Sequence, residues 1–499
     1  PIFNISYLEY WVVSEENRPN VIVAFSDQHR AHDIGCAGNS EIHTPAMDRI
    51  ATEGTRATNA YSTHPICGPS RACLISGQYP TSHGVITNEF ALPTDGPSIA
   101  EAFHDAGYRT GYIGKWHLDG VPREKWTPPG PRRQGFDDFW AVHNCVHDYF
   151  NPQYYRDSPE LIEEEGYEPT VQTNLALEFI QQNDDRPFCL FLSWGPPHDP
   201  YRLVPDEFRD RYEADQLSPR PNVEPILPGN RLNPNTGNVN APPVREWGPR
   251  VSPDTYEAGE PYGYEDPREA YADYYASITA IDHELGRLLD ALDAKGLAEE
   301  TILTYTSDHG DLLYSHGNNQ KGTPHEEAAG IPFIVRWPDE IPAGATTDTL
   351  LGITDVAPTL LGLSGVDIPD SMDGRDLASQ VQDPTAPGPD YLVLYGENWR
   401  GIVTERYTYA CVPTEIPELS EVPNGHALLF DRTEDPYQQE NVVYDPSYSD
   451  VRADLRETLD ERLEARDDPH LTLENMVEHL GRETAWERRQ QYIDGELQE

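Results

Sequence analysis

Lysine is almost missing from this chain. It occurs four times in 499 residues, as Lys115, Lys125, Lys295 and Lys321, so arginine carries nearly all of the positive charge. Against 36 basic residues stand 86 acidic ones, a formal net charge of −50. Phosphate binding needs a basic face, so a nucleic-acid partner is excluded. So acidic a surface suits concentrated salt, where the screening length falls to ~3 Å at about 1 M and self-repulsion is damped. A halophile-like source is the expectation. Long apolar runs are lacking too: none approaches the roughly 20 residues that span a bilayer, so no membrane span is expected. The six cysteines, at 36, 67, 73, 145, 189 and 411, contain no CxxC pair and suggest neither a zinc framework nor a disulfide one. Cys73 and Cys189 lie in apolar runs and read as core. Residues 1–13 have no basic start and no small-residue cleavage site, which sets the expectation of a cytoplasmic location.

What is present is a repeated alternation of short apolar runs and helical patterns. Residues 20–26 (NVIVAFS), 109–115, 187–194 (PFCLFLSW), 301–307 (TILTYTS) and 331–337 are compact and β-branched or aromatic, as buried strands are. Between them, residues 44–54, 98–107, 268–296 and 355–362 carry helical spacing with Pro near a start or Gly near an end. The fold class expected is α/β: a large, mostly parallel sheet sandwiched by helices, over residues 1–380. Residues 199–267, rich in Pro, Asn and Asp, read as a long surface excursion with at most a short helix near 205–213. A Pro- and Asp-rich linker near 378–390 introduces a smaller C-terminal unit, 381–499. Strand-like pieces there (YLVLY, GIVTERYTYACV, ALLFD) predict an antiparallel sheet, packed by a charged helix at 449–465 and followed by a polar tail.

Four polar clusters fall at strand ends, where open α/β sheets place their ligands: Asp27 with Gln28, Lys115 with His117, His198, and Asp308 with His309. Carboxylates and amide oxygens suit a hard divalent cation, and one imidazole moves the preference toward manganese. The most distinctive stretch is residues 67–77, CGPSRACLISG. Pro69 and Ser70 suit a first helical turn, and the apolar run after Arg71 suits a buried face. Cys67 then lies at a helix N-terminus, where the dipole stabilises a thiolate or an oxyanion, and Arg71 adds a planar donor fork. Taken alone, the string equally describes a helix cap with a buried thiol.

C-x-P-S-R followed six residues after the Arg by Gly resembles the signature of the type I sulfatases, members of the alkaline phosphatase superfamily. The resemblance spans about residues 18–375. It implies that Cys67 is converted by a formylglycine-generating enzyme to Cα-formylglycine, whose hydrate attacks the sulfur of a small-molecule or glycan sulfate ester. It also implies a metal site of Asp27, Gln28, Asp308, His309 and residue 67. Calcium is the expected ion, with manganese or magnesium as alternatives. Arg71 and Lys115 match the groups that hold the hydrate and neutralise sulfate. His117 matches the base that releases sulfate, and His198 and Lys321 match the groups that bind the ester and protonate the leaving oxygen.

Two departures open a second reading. Asp-Gln and Asp-His at 27–28 and 308–309, with Asn88 as a substrate-binding asparagine, resemble the phosphonate monoester and phosphodiester hydrolases of the same superfamily. Lys115 and His117 resemble the sulfatases instead. A third, non-catalytic reading is a scaffold that binds sulfated glycans with Cys67 unmodified.

Overall fold

The computed structural model describes residues 18–182, 184–223, 264, 266–318, 320–413 and 427–497. Residues 1–13 and most of the second half of the 199–267 excursion, on which sequence expectations fall, lie outside the described residues. The strands are β1 (Asn20–Asp27), β2 (Thr55–Tyr61), β3 (Arg109–Lys115), β4 (Phe139–His143), β5 (Gln153–Tyr154), β6 (Ile162–Glu163), β7 (Phe188–Pro197), β8 (Thr301–Ser307), β9 (Phe333–Arg336), β10 (Ala345–Gly352), β11 (Leu392–Tyr395), β12 (Arg400–Val403), β13 (Tyr407–Cys411) and β14 (Ala427–Asp431).

Eight of them form one sheet in the order β10-β2-β9-β8-β1-β7-β3-β4. Every pairing in it is parallel except those of β9 with β2 and β8, so the sheet is mixed and mostly parallel, as anticipated. β1 lies at the centre and its side chains alternate between two cores. Val21, Val23 and Phe25 enter one, with Leu74, Phe103 and Leu360; Ile22 and Ala24 enter the other, with Ile50, Phe179 and Tyr274. Both faces are therefore covered, which is why the strand reads as an unbroken apolar run.

The helices are α1 (Pro45–Thr52), α2 (Cys67–Ser76), α3 (Pro80–His83), α4 (Ile99–Asp105), α5 (Glu168–Gln181), α6 (Asp206–Arg209), α7 (Pro267–Lys295), α8 (Glu326–Ala329), α9 (Val356–Leu363), α10 (Ala378–Gln382), α11 (Ser449–Glu464), α12 (Leu473–His479) and α13 (Glu483–Ile493). The second sheet, β11-β12-β13-β14, is antiparallel throughout and packs one side against α11 through Leu455, Leu459 and Leu463. The polar tail folds back: Leu473, Met476 and Val477 of α12 join the large core.

Sequence patterning missed α5, β2, β4 and β10. In α5 the buried face includes Glu168, Gln172 and Thr173, so apolar spacing is weak. β2 and β10 carry polar, partly exposed side chains near the sheet edge. The excursion is less superficial than expected, since Tyr201, Val204 and Phe208 are buried. Among the described residues no helix is long and apolar enough to cross a membrane.

Candidate active site

Three parallel strands and one helix bring the sequence-predicted residues to one buried point at the carboxyl edge of the sheet. Asp27 ends β1, Lys115 ends β3, and Asp308 and His309 follow β8. Because Ser26 pairs with Ser307 across parallel strands, the residues that follow emerge side by side. Gly114, at φ +100°, lets β3 turn: a Cβ there would overlap the Ser193 carbonyl oxygen. Cys67 opens α2, whose ten residues are all buried. The Gly68 N–H at that helix start donates to Asn88 Oδ1 at 2.8 Å, which places Asn88 beside residue 67.

The charges are interlocked. Asp27 Oδ2 accepts from Lys115 Nζ at 2.5 Å and from Arg71 Nη2 at 3.3 Å. Arg71 Nε donates to Asp308 Oδ2 at 2.9 Å, and its Nη1 to the Lys115 carbonyl at 2.7 Å. The guanidinium also lies 5.1 Å from the Phe25 ring centroid. Burial works to raise the Asp27 carboxyl, but Lys115, His198 and Arg71 hold it well below the usual carboxylate range.

Around Cys67 the groups are equally close. Its Sγ lies 3.2 Å from His309 Nε2, 3.2 Å from Lys321 Nζ and 3.8 Å from Asp27 Oδ1. Burial pushes the thiol up, yet Lys115, Lys321 and His309 together hold it well below its ordinary value. His117 faces the same point, with Glu89 Oε1 3.7 Å from its Nε2. Burial opposes its charged form, but Cys145, Cys67 and Glu89 push the imidazole up to about 10. His198 is the remaining ring; its Nδ1 lies 2.8 Å from the Asp199 carbonyl.

Asp27, Cys67, Asp308 and His309 each offer a ligand atom, and those atoms lie within 4.8 Å of one another. His309 Nδ1 lies 2.8 Å from the Gly310 carbonyl and donates to it, which turns Nε2 toward Cys67, Asp27 and Asp308. Two carboxylates and one imidazole nitrogen fit a hard or borderline divalent cation. Gln28 stands beside them at φ 73°. Its Oε1 accepts from Lys321 Nζ at 2.5 Å, while its Nε2 donates to Asp311 Oδ2 at 2.5 Å. All eleven residues singled out in the sequence thus meet in one cluster around residue 67. Sequence reasoning missed Cys145, His147, Glu89 and Asp311, which border it as well. Nothing in the spacing of residues 143–150 signals that the run folds against His198.

Residues 19–366 match the family described as Sulfatase, and residues 315–465 match N-sulphoglucosamine sulphohydrolase, C-terminal. An ulvan-active sulfatase of Formosa agariphila is 33% identical over 466 residues, covering 90% of this chain and 82% of its own length. An N-acetylglucosamine-6-O-sulfatase of Bacteroides thetaiotaomicron is 27% identical, covering 90% of this chain and 86% of its own. The crystal structure of the putative sulfatase yidJ from Bacteroides fragilis superposes with a TM-score of 0.76 at 29% identity, over 91% of this chain and 97% of the other.

Proposed function

Since the chain belongs to the sulfatase family and is a sulfuric ester hydrolase, we propose that it removes sulfate from a carbohydrate ester, using Cys67 after its conversion to Cα-formylglycine. The observation that carries this reading is the convergence of Asp27, Asp308, His309, Lys115 and Lys321 on residue 67 at a buried helix start. The names of the two relatives, one active on ulvan and one on N-acetylglucosamine 6-sulfate groups, support a sugar as the alcohol. Maturation requires a formylglycine-generating enzyme in the host. Asp27, Gln28, Asp308 and His309 would hold one divalent cation, calcium first and manganese or magnesium next. Bound there, the ion would supply Lewis-acid polarisation of sulfate oxygens and favour the ionised form of the nucleophile.

The chain's own side chains supply the rest. Lys115 and Lys321 carry compact charges that neutralise the sulfate oxygens as the bond to the alcohol lengthens. Arg71 holds Asp27 and Asp308 in place through its ion pairs. His198 holds its Nδ1 hydrogen on the Asp199 carbonyl and presents Nε2 as proton donor to the leaving oxygen. His117 takes a proton from a hydroxyl at position 67 when sulfate is released. Conversion of Cys67 removes only one of the groups that raise the His117 imidazole, and Cys145 and Glu89 remain beside it.

The direct test is the mass of the tryptic peptide containing residue 67, with turnover of wild type and Cys67→Ala measured on a sulfated monosaccharide. Formylglycine in the wild-type peptide and no turnover by Cys67→Ala are expected. Repeated turnover by Cys67→Ala would refute the assignment.

A further inference from the structure

His147, on the connection after β4, has been given no role above, yet its ring lies flat on that of His198. The centroids are 4.0 Å apart and the planes differ by 7°. Its edges are bounded by Cys145 Sγ, 3.6 Å from Nε2, and by Tyr149 Oη, 3.4 Å from Nδ1. The same short segment grips His198 a second time, because the Tyr149 hydroxyl donates to the His198 carbonyl at 2.9 Å. Tyr149 cannot drift: its carbonyl accepts from the Glu168 N–H at 2.8 Å. Its ring also fills the space beside Gly195, where an added Cβ would come within 2.7 Å of Tyr149 Cε1.

A proton donor helps only while its N–H stays on line with the oxygen that accepts, and a displacement of ~1 Å can cost on the order of a hundredfold. The bond from His198 Nδ1 to Asp199 pins one edge of the imidazole but lets the ring rock about that bond. A second flat ring in contact with its face removes that freedom. We propose that His147 is a positioning residue, fixing the plane of His198 so that Nε2 meets the oxygen leaving sulfur. The proposal rests on the assignment of His198 as proton donor, so its test must separate the two.

Help from a general acid grows with the basicity of the departing alcohol. Turnover is therefore compared on para-nitrophenyl sulfate, phenyl sulfate and a sulfated monosaccharide, for His198→Ala, His147→Ala, His147→Gln and His147→Phe. The loss in His147→Ala is expected to be about tenfold larger on the sugar than on the nitrophenyl ester. His147→Gln should show the same unevenness, and His147→Phe, which keeps the flat face, should restore the wild-type dependence on leaving group. A merely structural role would lower all three substrates by one factor. If His147→Ala and His147→Gln do so while His198→Ala is uneven, the positioning role falls and the His198 assignment stands. If His198→Ala is also even, the assignment falls and takes the proposal with it. Should His147→Ala fail to fold, the Gln and Phe variants decide alone.

Discussion

On one side of the pocket, Asp27, Arg71, Lys115 and Asp308 leave strand ends and the first turn of α2, and their charged tips bind one another directly. On the other, His198 begins the connection that leaves β7, and Lys321 lies well inside the connection that leaves β8. Lys321 is steadied through its neighbours: Gly322 accepts from Trp399 Nε1 at 2.8 Å, and Gln320 accepts through its carbonyl from the Leu312 N–H at 2.7 Å. On the same connection the His316 N–H donates to the Asn222 carbonyl at 2.8 Å, and buried Glu327 beyond it accepts from Arg220 Nε at 2.9 Å. The strand side is a closed ion cluster in which each charge answers another. The loop side presents charges whose partners are an amide oxygen and, at residue 67, the reacting position itself. Stability and chemistry are therefore tied together on the first side and separable on the second.

The largest effect is expected at Asp27, the carboxylate shared by both cations. Asp27→Asn should abolish turnover and leave Lys115 and Arg71 short of a buried counter-charge, a loss of about 3–5 kcal/mol in stability. The thermal midpoint and the bound divalent metal by elemental analysis should fall together. A variant as stable as wild type would mean that the ion cluster contributes nothing to folding. Lys115→Met and Lys321→Met come next, each lowering kcat by ~10²–10³. Only Lys115→Met should also lower the thermal midpoint, because it strips a partner from Asp27, whereas Lys321→Met frees Gln28 Oε1 and residue 67. Equal midpoints for the two would erase the distinction between the sides. Smaller again is Trp399→Phe, which removes one neutral hydrogen bond worth about 1 kcal/mol. It should cost turnover several-fold through Lys321 without moving the midpoint as far as Lys115→Met.

The same division marks what was legible beforehand. Asp27, Lys115 and Asp308 follow apolar runs that can only be central strands, so their meeting is a consequence of parallel register. Cys67 and Arg71 share one helical turn. His147 and Glu89 follow no such run, and their approach to His198 and His117 depends on how loops fold over the sheet edge. Trp399 reaches Gly322 from β11–β12, 77 residues away in sequence, and no local pattern encodes that hydrogen bond. The core strands were readable because both faces are apolar. β2 and β10 were not, because their outward positions carry Thr, Arg, Asn and Asp.

The distribution of lysine extends the argument from the pocket to the surface. Two of the four lysines, Lys115 and Lys321, are buried in the pocket, while Lys295 sits exposed in the last turn of α7. Their compact ammonium groups are held against Asp27, Gln28 and Cys67, so lysine persists inside even though the surface has nearly dispensed with it. Salt should then act on the two regions differently. Raising it from ~0.1 M, where the screening length is ~10 Å, to above ~1 M, where it is ~3 Å, damps repulsion among surface carboxylates and should raise the thermal midpoint by several degrees. It should also lower KM, since an anionic substrate approaches a chain of net charge −50. The buried cluster is little screened, so kcat at saturation should stay within about twofold. A kcat that climbed in step with the midpoint would instead mean that surface repulsion strains the pocket, and that the two regions are mechanically one.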